Sequence, residues 1–239
     1  MMIHKKMREN DMVTGFLQAL NRSYKNYNAP GGSRSTNKLK PIHQWLADTS
    51  MSLLGDGYTA RSIRADDETA QEASFSGKYY PKKVDVGIYY CQHPVTAISF
   101  KFATSNFKQN ANNYFEHLMG ETANMQRGNI NCGALFVLPS AIPYLKRGGE
   151  RIDIETLSSH HIDKYRKLLA DKKHPHRPEA LGFIIVDIDH EAKHIRGLAN
   201  IDKLGFSKDV VKFLKTEATL ERFFSVFVKL TKHRAKQLT

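Results

Sequence analysis

The chain has 239 residues and a net charge of +12, with 36 Lys and Arg against 24 Asp and Glu. That is long enough for one full core, and the cationic excess points to a polyanionic partner, with nucleic acid the leading candidate. No run of about 18 apolar residues occurs and Met1 to Asn10 is polar, so we expect neither a membrane span nor a signal peptide, and we expect a cytoplasmic protein.

In chain order, the pattern predicts a helix over Met12 to Tyr24, then the turn-rich connector Asn28-Ala29-Pro30-Gly31-Gly32-Ser33. The connector carries Arg34, Lys38 and Lys40 into a second helix over Pro41 to Leu54, and reads as a DNA-contacting arm or a solvated loop. The most acidic stretch follows between Gly55 and Gly77, with Asp56, Asp66, Asp67, Glu68 and Glu72. Two β-type runs come next, Lys82 to Tyr90 and Val95 to Phe102. An amphipathic helix over Asn106 to Met125 repeats Phe107, Ala111, Tyr114, Phe115, Leu118 and Met119 at helical steps. Asn131 to Pro139 and Leu181 to Ile188 read as buried strands, and Ser207 to Gln237 as helical and substantially buried. Cys91 and Cys132 fall in predicted strands without metal-ligand spacing, so both read as buried free thiols.

The two adjacent strands carry the chemistry. An Asp inside an apolar strand costs free energy unless it has a hydrogen-bonding partner or a cation. With a period of two, Lys83, Asp85, Gly87 and Tyr89 share a face opposite Val84, Val86, Ile88 and Tyr90. On the next strand Val95, Ala97, Ser99 and Lys101 point one way, and Thr96, Ile98, Phe100 and Phe102 point to the core. A hairpin through Cys91-Gln92-His93, or one residue later, sets Asp85 opposite Ser99 or Lys101.

Residues 66 to 138 thereby resemble the PD-(D/E)xK nuclease superfamily, in its type II restriction-endonuclease-like form, whose signature is an acid on one strand and an acid-x-Lys triplet on the next. The resemblance implies an α/β restriction-endonuclease-like core, a mixed central β-sheet flanked by helices, with helical N- and C-terminal additions. It implies one nuclease domain over residues 1–239, with the catalytic core about 66–190 and the additions 1–65 and 191–239. Asp85 matches the first acid and Lys101 the signature lysine, with the Phe100 backbone carbonyl facing the metal. Ser99 departs from the pattern, because the family has a carboxylate there. The resemblance supplies the missing group from elsewhere, with Glu116 on the following helix fitting best and Glu121, Glu72 and Glu68 as the other candidates. It further implies Mg2+ as cofactor, double-stranded DNA as substrate and a homodimer.

For DNA contacts, Gln109, Asn112 and Asn113 lie beside the apolar stripe of their helix, and Asn is a poor helix former, so these amides are candidates for reading bases or phosphates. Asn106 reads equally well as an N-cap. Arg34 and Lys38, together with Lys172, Lys173 and Arg177 in the densest basic segment, are phosphate-contact candidates. His160, His161, His174 and His176 lack a third ligand at useful spacing and imply no zinc site, while Asp187 and Asp189 read as turn residues. Two other readings of the same residues are a nonspecific repair or phage-type nuclease, and a non-catalytic basic DNA-binding protein in which Asp85 and Lys101 form only a buried ion pair.

Overall fold

The computed structural model describes residues 9–146 and 149–238. Residues 1–8 of the polar N-terminal stretch lie outside the described residues. Helices α1 (Glu9–Asn28) and α2 (Lys40–Leu54) precede strand β1 (Tyr58–Ser62), and a small ribbon of β2 (Ala73–Ser76) and β3 (Pro81–Val84) leads into β4 (Val86–Tyr90) and β5 (His93–Phe102). Helix α3 (Phe107–Arg127) crosses over to β6 (Asn131–Pro139). A second ribbon, β7 (Ala141–Leu145) and β8 (Arg151–Thr156), is followed by α4 (Ser159–Ala170), β9 (Ala180–Asp189) and β10 (His194–Leu198). The chain closes with α5 (Lys208–Lys212), a π-helical turn over Phe213–Glu217, and α6 (Leu220–Lys236).

The central sheet has six strands in the order β1-β4-β5-β6-β9-β10. β5, β6 and β9 run parallel to one another, and the remaining pairs are antiparallel, so the sheet is mixed. Its middle strands are near-continuous apolar runs because both faces are covered, as a helix-flanked sheet requires. Alternation then sorts their side chains. Leu135, Val137, Ile184 and Val186 pack under α1, α2 and α6, whereas Ala134, Phe136, Leu138, Phe183 and Ile185 pack under α3, α4 and the π-helical turn. A smaller cluster of Ala73, Phe75, Val84, Tyr89, Ala97, Met125, Ile130 and Cys132 joins the β2–β3 ribbon to the sheet and to the C-terminal end of α3. Among the described residues no helix is long and apolar enough to cross a membrane.

Several expectations change. The run Lys82 to Tyr90 is two strands, broken at Asp85. Val84 therefore leaves the face of Val86 and Ile88 and joins the ribbon cluster, paired with Ala73. The regions read as helical additions each also carry an edge strand, β1 and β10. Cys91 is exposed rather than buried, because with Gln92 it makes the two-residue β4–β5 turn, both at positive φ (45° and 69°). Two-residue hairpin turns need that left-handed backbone. Cys132 is buried as expected, and burial, with Glu179 nearby, pushes its thiol well above the ordinary range. Asp189 accepts hydrogen bonds from the Glu191 and Ala192 amides and closes the β9–β10 turn, as expected.

Gly87 explains how the β2–β3 ribbon lies on the sheet. A Cβ there would stand 2.5 Å from the Ala73 Cβ and 2.7 Å from the Phe75 ring. Backbone and side chain on the far side are packed, so nothing can yield cheaply. Gly87→Val is expected to destabilise the protein by about 1–3 kcal/mol by lifting the ribbon, read as a lowered midpoint in a denaturant titration, and an unchanged midpoint would refute this account of the packing.

Candidate active site

Asp85 separates β3 from β4 for a local reason. Asp is a poor strand residue, and its carboxylate takes a main-chain role instead: Oδ2 accepts the Phe100 N–H at 2.7 Å. The register Val86 to Ile98, continued by one step, sets Asp85 opposite Ser99, one of the two positions the strand pattern allows. In an extended strand the N–H and C=O of one residue face the same neighbour. The Phe100 carbonyl therefore faces the same opening, where β4 has already ended.

Two further groups converge on Asp85 from opposite faces of the sheet. From α2 comes His43, fully buried, with Nε2 3.9 Å from Asp85 Oδ1 and its ring edge-on to Phe100 at 6.0 Å between centroids. From the segment just ahead of β2 comes Glu72, carried over the sheet by the ribbon that Gly87 admits. His43, Glu72 and Asp85 each offer a ligand atom, and these atoms all lie within 4.8 Å of one another.

Burial, and then the Asp85 charge, raises the Glu72 carboxyl above its ordinary range against the pull of Lys83, Lys101 and Lys82. Burial lowers the His43 imidazole, opposed by Asp85 and reinforced by Lys101. Lys101 thus acts electrostatically on both groups. With Asp85, Ser99, Lys82, Lys83 and Glu121 it lines one cleft, floored by Ala97, Leu118, Met125 and Cys132. Within ion-pair distance Asp85 has His43 and not Lys101, so the buried Asp85–Lys101 pair of the non-catalytic reading is not formed.

Of the four glutamates, the structure brings Glu72 to Asp85. Glu121 lines the cleft but is held by Lys82 at 2.5 Å. Glu116 is exposed and does not line the cleft. The reason is helical phase: α3 turns Leu118, Glu121, Thr122 and Met125 toward the cleft, and Glu116 lies two residues, roughly 200°, from Leu118. Glu68 is exposed and lines a separate depression with Lys40 and Ala65.

The DNA-contact candidates are dispersed. Gln109 donates to Glu155 Oε1 at 2.8 Å, and Asn112 Oδ1 accepts from Lys164 at 2.9 Å, while Asn113 is exposed. Arg34 is exposed, and Lys38 donates to the Ser33 carbonyl beside the Tyr27 ring. Arg177 donates to the Leu169 carbonyl at 2.6 Å and lines, with Lys172, a depression that shares no residue with the Asp85 cleft, and Lys173 is exposed. The asparagines of α3 have structural roles. Asn106 sits at the N-cap but pairs its side chain with the Leu145 backbone, and Asn110 donates to the Asn106 carbonyl. Buried Asn124 accepts from the Tyr79 and Tyr80 amides and donates to the Tyr80 carbonyl.

Two features escaped the sequence reading, His43 and the Tyr79–Tyr80 pair, while Glu72 was one of four candidate carboxylates. His43 lies on the buried stripe of α2 with Ile42, Leu46, Ala47 and Ser50, so a titratable ring among core positions was the available signal. The nearness of Glu72 to Asp85 depends on the ribbon and had no local signal. Tyr79 and Tyr80, 64% and 47% exposed, are presented by the β2–β3 loop that Asn124 clamps, next to the cleft lysines Lys82 and Lys83. Comparison with protein-family models, with curated proteins and with solved structures finds no match.

Proposed function

We infer that the chain is a divalent-metal-dependent DNA endonuclease of the restriction-endonuclease-like kind, hydrolysing phosphodiester bonds in double-stranded DNA at a specific sequence. The observation that carries the reading is the meeting of Asp85 with Glu72 and with the Phe100 edge, beside the cleft that Asp85 and Lys101 line together. The order of the surrounding elements supports it: two antiparallel strands, a crossover helix and a parallel strand. So does the +12 charge, which favours a polyanion.

The donor chemistry fits a cation. Two carboxylates that share a site raise one another's proton affinity and are stabilised by a positive ion. Asp85 and Glu72, with the Phe100 carbonyl, would hold Mg2+ as oxygen ligands. Glu72 supplies the carboxylate that the triplet lacks at Ser99. A bound ion provides Lewis-acid polarisation of the scissile phosphate. Lys101 orients the attacking water and offsets charge developing on the phosphate oxygens. Ser99, half-buried on the same cleft wall, is a hydrogen-bonding group for that water or phosphate. The exposed Tyr79 and Tyr80 rings suit stacking on unpaired bases or packing against sugar.

The test is digestion of unmethylated plasmid with Mg2+ and with chelator, comparing wild type with Lys101→Ala. Discrete metal-dependent fragments are expected from wild type, and a loss of about 10²–10³-fold or more from the variant, as for removal of one charge-stabilising group. Normal cleavage by Lys101→Ala would overturn the assignment, and a smear would indicate the nonspecific nuclease. Reading a palindrome requires two-fold symmetry, so light scattering on the DNA-free protein is expected to give the mass of a homodimer.

A further inference from the structure

The least explained group beside Asp85 is His43. It is fully buried, yet among the described residues neither of its ring nitrogens has a hydrogen-bond partner. Leaving a buried polar atom unpaired costs about 1–3 kcal/mol, and this ring lies among core residues where an apolar side chain would cost nothing. Its Nε2 faces Asp85 Oδ1 at 3.9 Å. That is too long for a hydrogen bond. It is the separation expected of two donors on one ion, since metal–ligand bonds of about 2.1–2.2 Å place neighbouring donors roughly 3.0–4.3 Å apart. Glu72 completes the group, all ligand atoms lying within 4.8 Å of one another.

Resting on the metal-dependent reading above, we propose that His43 is a direct metal ligand and that His43, Glu72 and Asp85 form a mixed nitrogen–oxygen site, which takes a borderline transition-metal ion of the Mn2+ class in preference to Mg2+. The reasoning is ligand chemistry. Carboxylates alone suit Mg2+, which dehydrates reluctantly and favours oxygen. Imidazole suits first-row transition ions, whose affinity for a site with a nitrogen donor exceeds that of Mg2+. His43 comes from α2, which packs against β4 and α6, so its ring is held by the core and needs little ordering to bind.

The probe is Mn2+ itself, added to the metal-free full-length protein without DNA. Pulsed electron paramagnetic resonance of the bound ion is expected to show coupling to one directly ligated imidazole ¹⁴N. Competition with Mg2+ is expected to show that His43→Ala and the bulkier His43→Gln each weaken Mn2+ binding by about tenfold or more, the lower bound of losing even an outer-sphere partner, while Mg2+ binding changes less. Bound Mn2+ without nitrogen coupling, or no Mn2+ binding in wild type, overturns the proposal. Because wild type carries the spectroscopic readout, a variant that fails to fold does not rescue it. The two readings fail separately: nitrogen-coupled Mn2+ in a protein that cuts no DNA removes the nuclease assignment alone, and Mg2+-dependent cleavage without nitrogen coupling removes the His43 site alone.

Discussion

Asp85→Asn is expected to abolish DNA cleavage without unfolding the protein. Asn has the shape of Asp and keeps an acceptor for the Phe100 N–H, now bonded at 2.7 Å, so the break between β3 and β4 is preserved. What is lost is the negative charge. Without it the cation loses a ligand, and cleavage is expected to fall by about 10²–10³-fold or more. Stability is expected to hold or rise in metal-free protein, because Asp85 is a like charge that raises the Glu72 carboxyl and Asn removes that repulsion. The sign separates two accounts of Asp85. If it served only to pair with a cation of the core, its neutralisation would lower the melting midpoint, since breaking a buried pair is destabilising. A gel assay and a melting curve on one variant decide between them: cleavage lost with the midpoint held supports the catalytic account, and cleavage retained refutes it.

The strand pair, the crossover helix and the two buried strands after it were legible because their patterns are local. Asp85, Ser99 and Lys101 could be placed from a period of two, and the register bears out Asp85 opposite Ser99. What failed depended on partners distant in sequence. Glu116 seemed the better of the α3 glutamates, yet Leu118, Glu121, Thr122 and Met125 define the cleft-facing side. Glu72 lies in a polar stretch, and only Gly87, by admitting the β2–β3 ribbon against Ala73 and Phe75, brings it over Asp85. The edge strands β1 and β10 are five residues each, with one side exposed, so neither makes the continuous apolar run that marks a central strand. The asparagines of α3 invited a functional reading through their poor helix propensity. Asn124 and Asn106 instead satisfy backbone groups of neighbouring loops, which composition cannot reveal.

Phe223→Ala is expected to cost most in stability while leaving the chemistry of the cleft unchanged in the molecules that remain folded. Phe223 is fully buried on α6, stacked on Phe227 at 5.9 Å between centroids. It rests on two glycines of adjacent strands: a Cβ at Gly133 would stand 3.1 Å from the ring, and one at Gly182 would stand 3.3 Å from the Phe223 Cβ. Gly133 leaves room for the ring, whereas a Cβ at Gly182 would first meet Leu135 Cδ1 at 2.4 Å, and Ala at 223 would leave a void over Gly133 that the backbone cannot fill. Phe-to-Ala changes in such cores cost about 3–5 kcal/mol. Against a total of roughly 5–15 kcal/mol for a folded domain, this is about a fifth of the whole or more. At roughly 2–4 °C per kcal/mol for a chain of this size, the melting midpoint is expected to fall by about 6–20 °C. The ring lies in the cluster under α1, α2 and α6, and it does not line the Asp85 cleft on the other side of the sheet. The cleavage rate per folded molecule should then match wild type well below the lowered midpoint. A drop in that rate at full folding would mean that α6 positions the cleft as well as covering the sheet, and a midpoint shift under about 2 °C, the scale of a surface change, would mean that the core relaxes into the space.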